Sequence, residues 1–353
     1  MHRSNLTRSE RWLERGLGTV VLLALALGLA ADVRAQGVLN LYSARHYQTD
    51  EALYENFTRQ TGIKINRIEL GDEPLIQRLR NEGANSPADV VLLVDAARLW
   101  RGQIDGLFQP ITSKLLTERI PAQWRSNDNT WFGFSSRART IFFDPAKVKA
   151  EDVDTYAELA DPKNKGKVCT RSGSHPYMLS LIGAIAEREG EAGAEAWARG
   201  VVANMARPPR GGDTDQIRAV AAGECAVALS NTYYWVRLLR SMDPKDKEAV
   251  AKVRMVWPDQ QGAGTHMNIS GGAVAKNAPN RANAIRFLEY LSGPEAQNYF
   301  ANGNNEWPLA VGTQLANPEL AALGTFKPDP LPLSSVGKGQ VAAQRILDRV
   351  GYR

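Results

Sequence analysis

Apolar and polar positions along this chain alternate between a period of two and a period near 3.6, and the switches between them mark out its elements. Residues 38–43, VLNLYS, place β-branched and apolar residues ahead of a polar turn and predict a strand. Leu53 and Phe57 follow at i,i+4 behind Thr49 or Asp50, either of which suits a helix N-cap. Residues 62–70, GIKINRIEL, alternate again as a strand, residues 74–86 read as a helix, and residues 88–103 as a buried strand running into a helix. Strands alternating with helices predict an α/β fold with a largely parallel sheet.

Further along, residues 130–145, TWFGFSSRARTIFFDP, form an extended stretch with no breaker after Gly133, long enough to run from one lobe into another. Strand patterns return at 165–172 and at 224–231, ECAVALSN. Helical patterns occupy 176–190 and 192–205, and a helix begins within 231–240. Residues 268–280, NISGGAVAKNAPN, look like a return crossing. Residues 281–304 are helical, and 336–352 form a last helix.

The first 35 residues lie outside this pattern. Arg3, Arg8, Arg11 and Arg15 precede a short apolar run at 20–31, and VRA ends at Ala35 with the small residues a signal peptidase prefers. The run is shorter than the roughly 20 residues of a spanning helix, so a cleaved signal peptide over 1–35 and a periplasmic, soluble mature chain from Gln36 are expected. The remaining 318 residues exceed a usual single core and predict two lobes. Those first 35 residues hold five Arg and three acids, which leaves 38 basic against 35 acidic residues, a net charge of +3. No Lys/Arg block accompanies it, so a nucleic-acid partner is not expected. Cys169 and Cys225 are the two cysteines; in an exported chain such a pair is more often a disulfide than a metal site, and neither a CxxC spacing nor a nearby His favours zinc.

In open α/β sheets, ligands bind outside the carboxyl ends of strands, beside helix N-termini. Three tyrosine-bearing segments fall at such places: Tyr47 in LYSARHYQTD, Tyr177 in RSGSHPYMLS, and the adjacent Tyr233 and Tyr234 in LSNTYYWV. Neighbouring helical residues point about 100° apart, so the last two cannot both join one apolar stripe. Four phenols in one cleft suit a small, hard, highly charged ion such as Fe(III), which prefers oxygen anions and expels their protons. Helix N-termini favour the resulting phenolates. Arg237 lies within helical reach of Tyr233 and Tyr234, and Arg137 and Arg139 on the crossing stretch can reach the cleft, so these three are expected as counter-charges. Arg45 and His46 sit beside Tyr47, and His46 is a further ligand, a donor beside one, or merely an exposed side chain next to the turn. His175 shapes the turn before Pro176, and Tyr42, Tyr54, Tyr156, Tyr290, Tyr299 and Tyr352 read as packing or rim residues.

YSARHY, CTRSGSHPYMLSL and GECAVALSNTYYWVRLL together resemble the periplasmic ferric-iron-binding proteins of ABC importers, and most of all the cyanobacterial-type subgroup that needs no synergistic anion. The resemblance extends over nearly the whole chain after residue 35, to NEWPLAVG and AAQRILDRVGY near the end. It implies the two-lobed type II periplasmic-binding fold with crossing strands, here with lobes at 36–136 plus 264–312 and 137–263 plus 313–353. It implies Tyr47, Tyr177, Tyr233 and Tyr234 as ligands with His46 a variable one, and a disulfide between Cys169 and Cys225. It implies Fe(III) as the transported ligand with no organic cofactor, and an ABC permease of the inner membrane as partner; a monomer suits such a shuttle. The alternative is the same fold around an organic solute, a polyamine, sugar or phosphonate, on which the aromatic rings would stack. An exported enzyme is not expected. Ser174 and His175 are sequence neighbours rather than a folded pair, and no GxSxG, HExxH or paired-carboxylate signature occurs.

Overall fold

The computed structural model describes residues 37–45, 47 and 49–353. The expected leader with its cleavage point after Ala35, and His46, lie outside the described residues. The chain runs through β1 (Val38–Ser43), α1 (Asp50–Thr61), β2 (Lys64–Glu69), α2 (Asp72–Glu82), β3 (Val90–Leu93), α3 (Ala96–Ile104), β4 (Phe108–Gln109) and α4 (Lys114–Arg119) to β5 (Trp131–Phe143). It continues through β6 (Val168–Cys169), α5 (Pro176–Asn204), α6 (Asp213–Ala221), β7 (Val227–Asn231), α7 (Thr232–Leu239), α8 (Pro244–Lys252) and β8 (Arg254–Val256). It returns by β9 (Met267–Ala275), α9 (Arg281–Leu291), α10 (Pro294–Gly303) and β10 (Trp307–Pro308), and ends with α11 (Pro318–Ala321) and α12 (Leu333–Val350).

The strands order as β2-β1-β3-β9-β5-β7-β6. β1 pairs in parallel with β2 and β3, as helical crossovers require, and β6 pairs in parallel with β7. The expectation of a largely parallel sheet holds only at these two ends. β9 is antiparallel to β3 and to β5, and β5 is antiparallel to β7, because the two long strands traverse the middle in opposite directions. Every residue of the thirteen-residue β5 is buried, as is every residue of β9. That explains why neither shows the one-sided alternation of a surface strand.

Local chemistry accounts for the breaks. Thr49 stands at the N-cap of α1, but its hydroxyl donates to Asn304 Oδ1 at 2.7 Å instead of closing the first turn. The two helical patterns at 176–205 form one element whose backbone leaves helical geometry at Gly190, φ 78°, a conformation that favours a residue without Cβ. The single pattern at 281–304 divides into α9 and α10, where Pro294 opens the second helix.

Apolar clusters cover both faces of each half of the sheet. Leu39, Leu41, Phe57, Phe132 and Phe287 pack on one face of the first half, and Tyr42, Ile76, Leu79, Val91 and Ile269 on the other. Ile141, Val168, Ile182, Val201 and Ile346 fill one side of the second half; Phe142, Ile217, Trp235 and the bonded pair Cys169–Cys225, Cα atoms 5.9 Å apart, fill the other. This is the two-lobed α/β architecture expected from the sequence, with β5 and β9 running between the lobes.

The glycines of residues 334–340, SSVGKGQ, belong to helix packing. A Cβ on Gly339 would sit 2.3 Å from the Gly183 carbonyl oxygen of α5, and one on Gly337 would sit 2.7 Å from the Trp100 ring of α3. α12 therefore lies close against both helices at once. Gly339→Ala should force α12 off α5 and cost about 3 kcal/mol, an overpacking penalty. A lowered midpoint in thermal unfolding checks this, and an unchanged midpoint would refute the close approach.

Candidate metal centre

Tyr47 lies in the loop between β1 and α1. That loop is tied down by buried Arg45, whose Nε donates to Asp50 Oδ2 at 2.7 Å and whose Nη2 donates to Asp50 Oδ1 at 3.2 Å. The Asp50 amide in turn donates to the Tyr47 carbonyl at 2.9 Å. Tyr177 is the second residue of α5, behind Pro176 at the first helical position and His175 at the N-cap, whose Nδ1 accepts from the Tyr177 amide at 3.2 Å. Tyr233 and Tyr234 are the second and third residues of α7, which starts directly at the end of β7. Three of the four phenols thus stand in the first turn of a helix, where the backbone dipole favours an anion.

The fold brings these residues together across the lobes. The Tyr177 and Tyr233 hydroxyl oxygens are 3.1 Å apart. The Tyr47 ring meets Tyr233 edge-on at 6.2 Å between centroids, and the Tyr233 and Tyr234 rings lie 4.1 Å apart at 31°. Adjacent helical side chains do diverge at Cβ, as the helical period requires, but here both rings turn towards the same place. Tyr233 is fully buried and Tyr234 half-buried.

Cations surround the phenols. Arg45 stacks over Tyr47 at 4.9 Å, Arg137 and Arg171 each over Tyr177 at 5.3 Å, and Arg237 over Tyr234 at 5.3 Å and Tyr233 at 5.8 Å. Arg137, on β5, donates to the Ser270 hydroxyl at 3.0 Å and to the Val94 carbonyl. Arg139, two residues on, turns away from the rings. Its guanidinium is paired with Asp213, with Asn231 Oδ1 at 3.1 Å and with Met178 Sδ at 3.3 Å. Asp213 also accepts from the Asn231 amide at 3.1 Å and lies 3.4 Å from Arg171, so it ties β5 to the segment that launches α7.

Two charged residues at the centre went unnoticed in the sequence. Arg171 sits in the CTRSGSHPY segment, and its place six residues before Tyr177, across the turn from strand to helix, is the signal that could have found it. Glu306, within NEWP, carries no local signal; it is fully buried and arrives through the pairing of β10 with β5.

Burial pushes the Tyr233 phenol well above its ordinary range, and the neighbouring phenols of Tyr177 and Tyr47 push it further. Tyr47 is likewise raised by burial, then by the Glu306 carboxylate and Tyr177. Tyr177 is raised by burial and by Tyr234, with Arg137 opposing. These three phenols are therefore neutral donors at neutral pH, and they act as oxyanions only when a cation takes the place of their protons.

The other aromatic and histidine residues have different employment. Tyr42 donates to Glu82 at 2.9 Å, Tyr156 to the Arg139 carbonyl at 2.6 Å, Tyr290 to the Leu53 carbonyl at 3.0 Å, and Tyr352 to the Thr170 hydroxyl at 2.7 Å. Burial drives the His266 imidazole down to about 4, which keeps it neutral. Among the described residues no three His, Cys, Asp or Glu side chains gather into a group that could hold a metal ion.

A mixed sheet shared by two lobes, with a cluster of polar aromatic side chains where they meet, defines a two-lobed solute-binding protein. The model of the bacterial extracellular solute-binding protein family matches residues 52–328. Iron uptake protein A1 of Synechocystis is 48% identical over 318 residues, covering 90% of this chain and 88% of that protein. A Trichodesmium protein (IdiA, FutA) solved in complex with iron and citrate is 51% identical, with a TM-score of 0.84 over 90% of this chain and all of that one. The ferric binding protein of Campylobacter jejuni is 39% identical, with a TM-score of 0.86 over 89% of this chain and all of that one. The chain belongs to the ferric-binding proteins within the bacterial extracellular solute-binding family.

Proposed function

We propose that this chain captures Fe(III) in the periplasm through Tyr47, Tyr177, Tyr233 and Tyr234 and delivers it to an ABC permease of the inner membrane. The observation that carries the reading is the 3.1 Å between the Tyr177 and Tyr233 oxygens, with the rings of Tyr47 and Tyr234 beside them. A small cation holding oxygens octahedrally at about 2 Å spaces neighbouring ligands about 3 Å apart. Four phenolates around a trivalent ion leave one negative charge, for which Arg45, Arg137, Arg171 and Arg237, all stacked on the phenols, supply compensation while Arg139 holds the supporting frame. Relatives named for iron uptake and ferric binding support iron as the cargo over an organic solute.

In this reading the protein is a carrier and no enzyme, works as a monomer, and loses residues 1–35 on export. Its lobes divide at 36–136 plus 264–312 and 137–263 plus 313–353. Iron docks on Tyr177, Tyr233 and Tyr234 of the second lobe, and closure about β5 and β9 brings Tyr47 of the first.

Because neutral phenols must ionise, each ferric ion bound should release about four protons at neutral pH, and apparent affinity should rise steeply with pH. Calorimetry in buffers of different ionisation enthalpy counts those protons. Release of one proton or none would set aside a tyrosinate site.

A further inference from the structure

Glu306 stands out among the charged groups because nothing about iron binding requires it. A buried carboxylate near phenols opposes their ionisation, as Glu306 does for Tyr47 and Tyr177. Yet Glu306 is completely shielded from solvent and held in place: its Oε2 accepts from the Ser135 hydroxyl at 2.6 Å. Its Oε1 has no hydrogen-bond partner among the described residues. Two guanidinium groups face it at ion-pair rather than hydrogen-bond range, Arg45 Nη1 at 3.8 Å from Oε2 and Arg137 Nη1 at 3.9 Å from Oε1. Those are the arginines that stack on Tyr47 and on Tyr177, phenols contributed by different lobes.

The charges facing Glu306 are therefore Arg45 and Arg137, with Asp50 already paired to Arg45, and the phenols of Tyr47 and Tyr177 beyond them. Loading the centre with a trivalent ion and four phenolates takes it from neutral to one net negative charge. In a buried setting of low dielectric, a fixed carboxylate next to that change disfavours the loaded state. It also draws on the positive charge of the two arginines that would otherwise serve the phenolates alone. A carrier must release what it binds, and a built-in opposing charge lowers retention without removing a ligand.

We propose that Glu306 is a positioning and tuning residue that weakens the grip of the tyrosine centre on its ion, acting through Arg45 and Arg137. This rests on the ferric-binding reading above. Glu306→Gln keeps the shape and the acceptor for Ser135 while removing the charge. It should hold Fe(III) about tenfold more tightly against competing citrate, equivalent to about one pKa unit shared over the phenolates. The pH at which acid bleaches the phenolate–iron absorption should fall accordingly. A merely structural role would instead weaken binding in Glu306→Gln and leave the acid midpoint unmoved or raised.

Retention equal to or weaker than that of the parent chain in a folded Glu306→Gln protein overturns the inference and leaves the ferric reading standing. A parent chain that gives no absorption with Fe(III) overturns both. Should Glu306→Gln fail to fold, Ser135→Ala removes the hydroxyl that partly neutralises the carboxylate. It should loosen retention and raise the acid midpoint, and an unchanged midpoint there counts against the proposal.

Discussion

Phenylalanine at both Tyr233 and Tyr234 should abolish saturable binding of ferric iron while leaving the fold intact. The double substitution removes two oxygens from the first turn of α7 but keeps both rings, so the packing of Tyr233 against Tyr47 and of Tyr234 near Trp235 survives. Loss of a partner behind a ligand typically weakens a metal site by roughly 10- to 100-fold, and loss of two ligands should exceed that by a wide margin. Tyr47→Phe should weaken binding less, because three phenols remain together on the second lobe. Equilibrium competition against citrate, with circular dichroism as the control for folding, measures both. Retained affinity in the double variant would remove the tyrosines from the centre.

Asp213→Ala should produce the largest loss of stability. Asp213 is fully buried, and it neutralises Arg139, which is 2% exposed, while accepting from the Asn231 amide and facing Arg171. Removing it leaves a guanidinium buried without its counter-charge, at a cost of about 3–5 kcal/mol. In a chain of this size that corresponds to a fall of roughly 10 °C in the unfolding midpoint. Iron affinity should fall as well, because the same carboxylate fixes Arg171 beside Tyr177 and the start of α7. Replacing the pair together, Asp213→Leu with Arg139→Met, should recover much of the stability, since an apolar pair needs no desolvation of charge. A single variant as stable as the parent chain would show that the pair carries no such burden.

The parts of the fold legible in the sequence were those with local causes. Leu53 and Phe57 mark α1 by their spacing, the unbroken stretch from Trp131 to Phe143 marks the crossing strand, and Tyr177 and Tyr233 each follow a strand at a helix start. What could not be read there depends on partners distant in sequence. The antiparallel insertion of β9 between β3 and β5 follows from pairings more than a hundred residues apart, for which β9's own pattern carries no direction. Arg137 and Arg139 share one strand and the same alternation, yet only Arg137 stacks on a phenol, because Asp213 claims the other. Glu306 reaches the centre solely through the β10–β5 pairing, and the glycines of α12 are explained by a helix that sequence inspection places far away.

Cysteine was the exception to that limit. An even pair in an exported chain pointed to the bond between Cys169 and Cys225 without any knowledge of the fold, because compartment chemistry rather than geometry carried the inference.

The most direct test of the account is a visible absorption spectrum of the purified mature chain as Fe(III) is titrated in. Phenolate coordinated to ferric iron should give a broad charge-transfer band, orange to red, that saturates at one ion per chain and is lost in the Tyr233→Phe, Tyr234→Phe double variant. A chain that stays colourless, or that takes up iron without such a band, would contradict the tyrosinate centre.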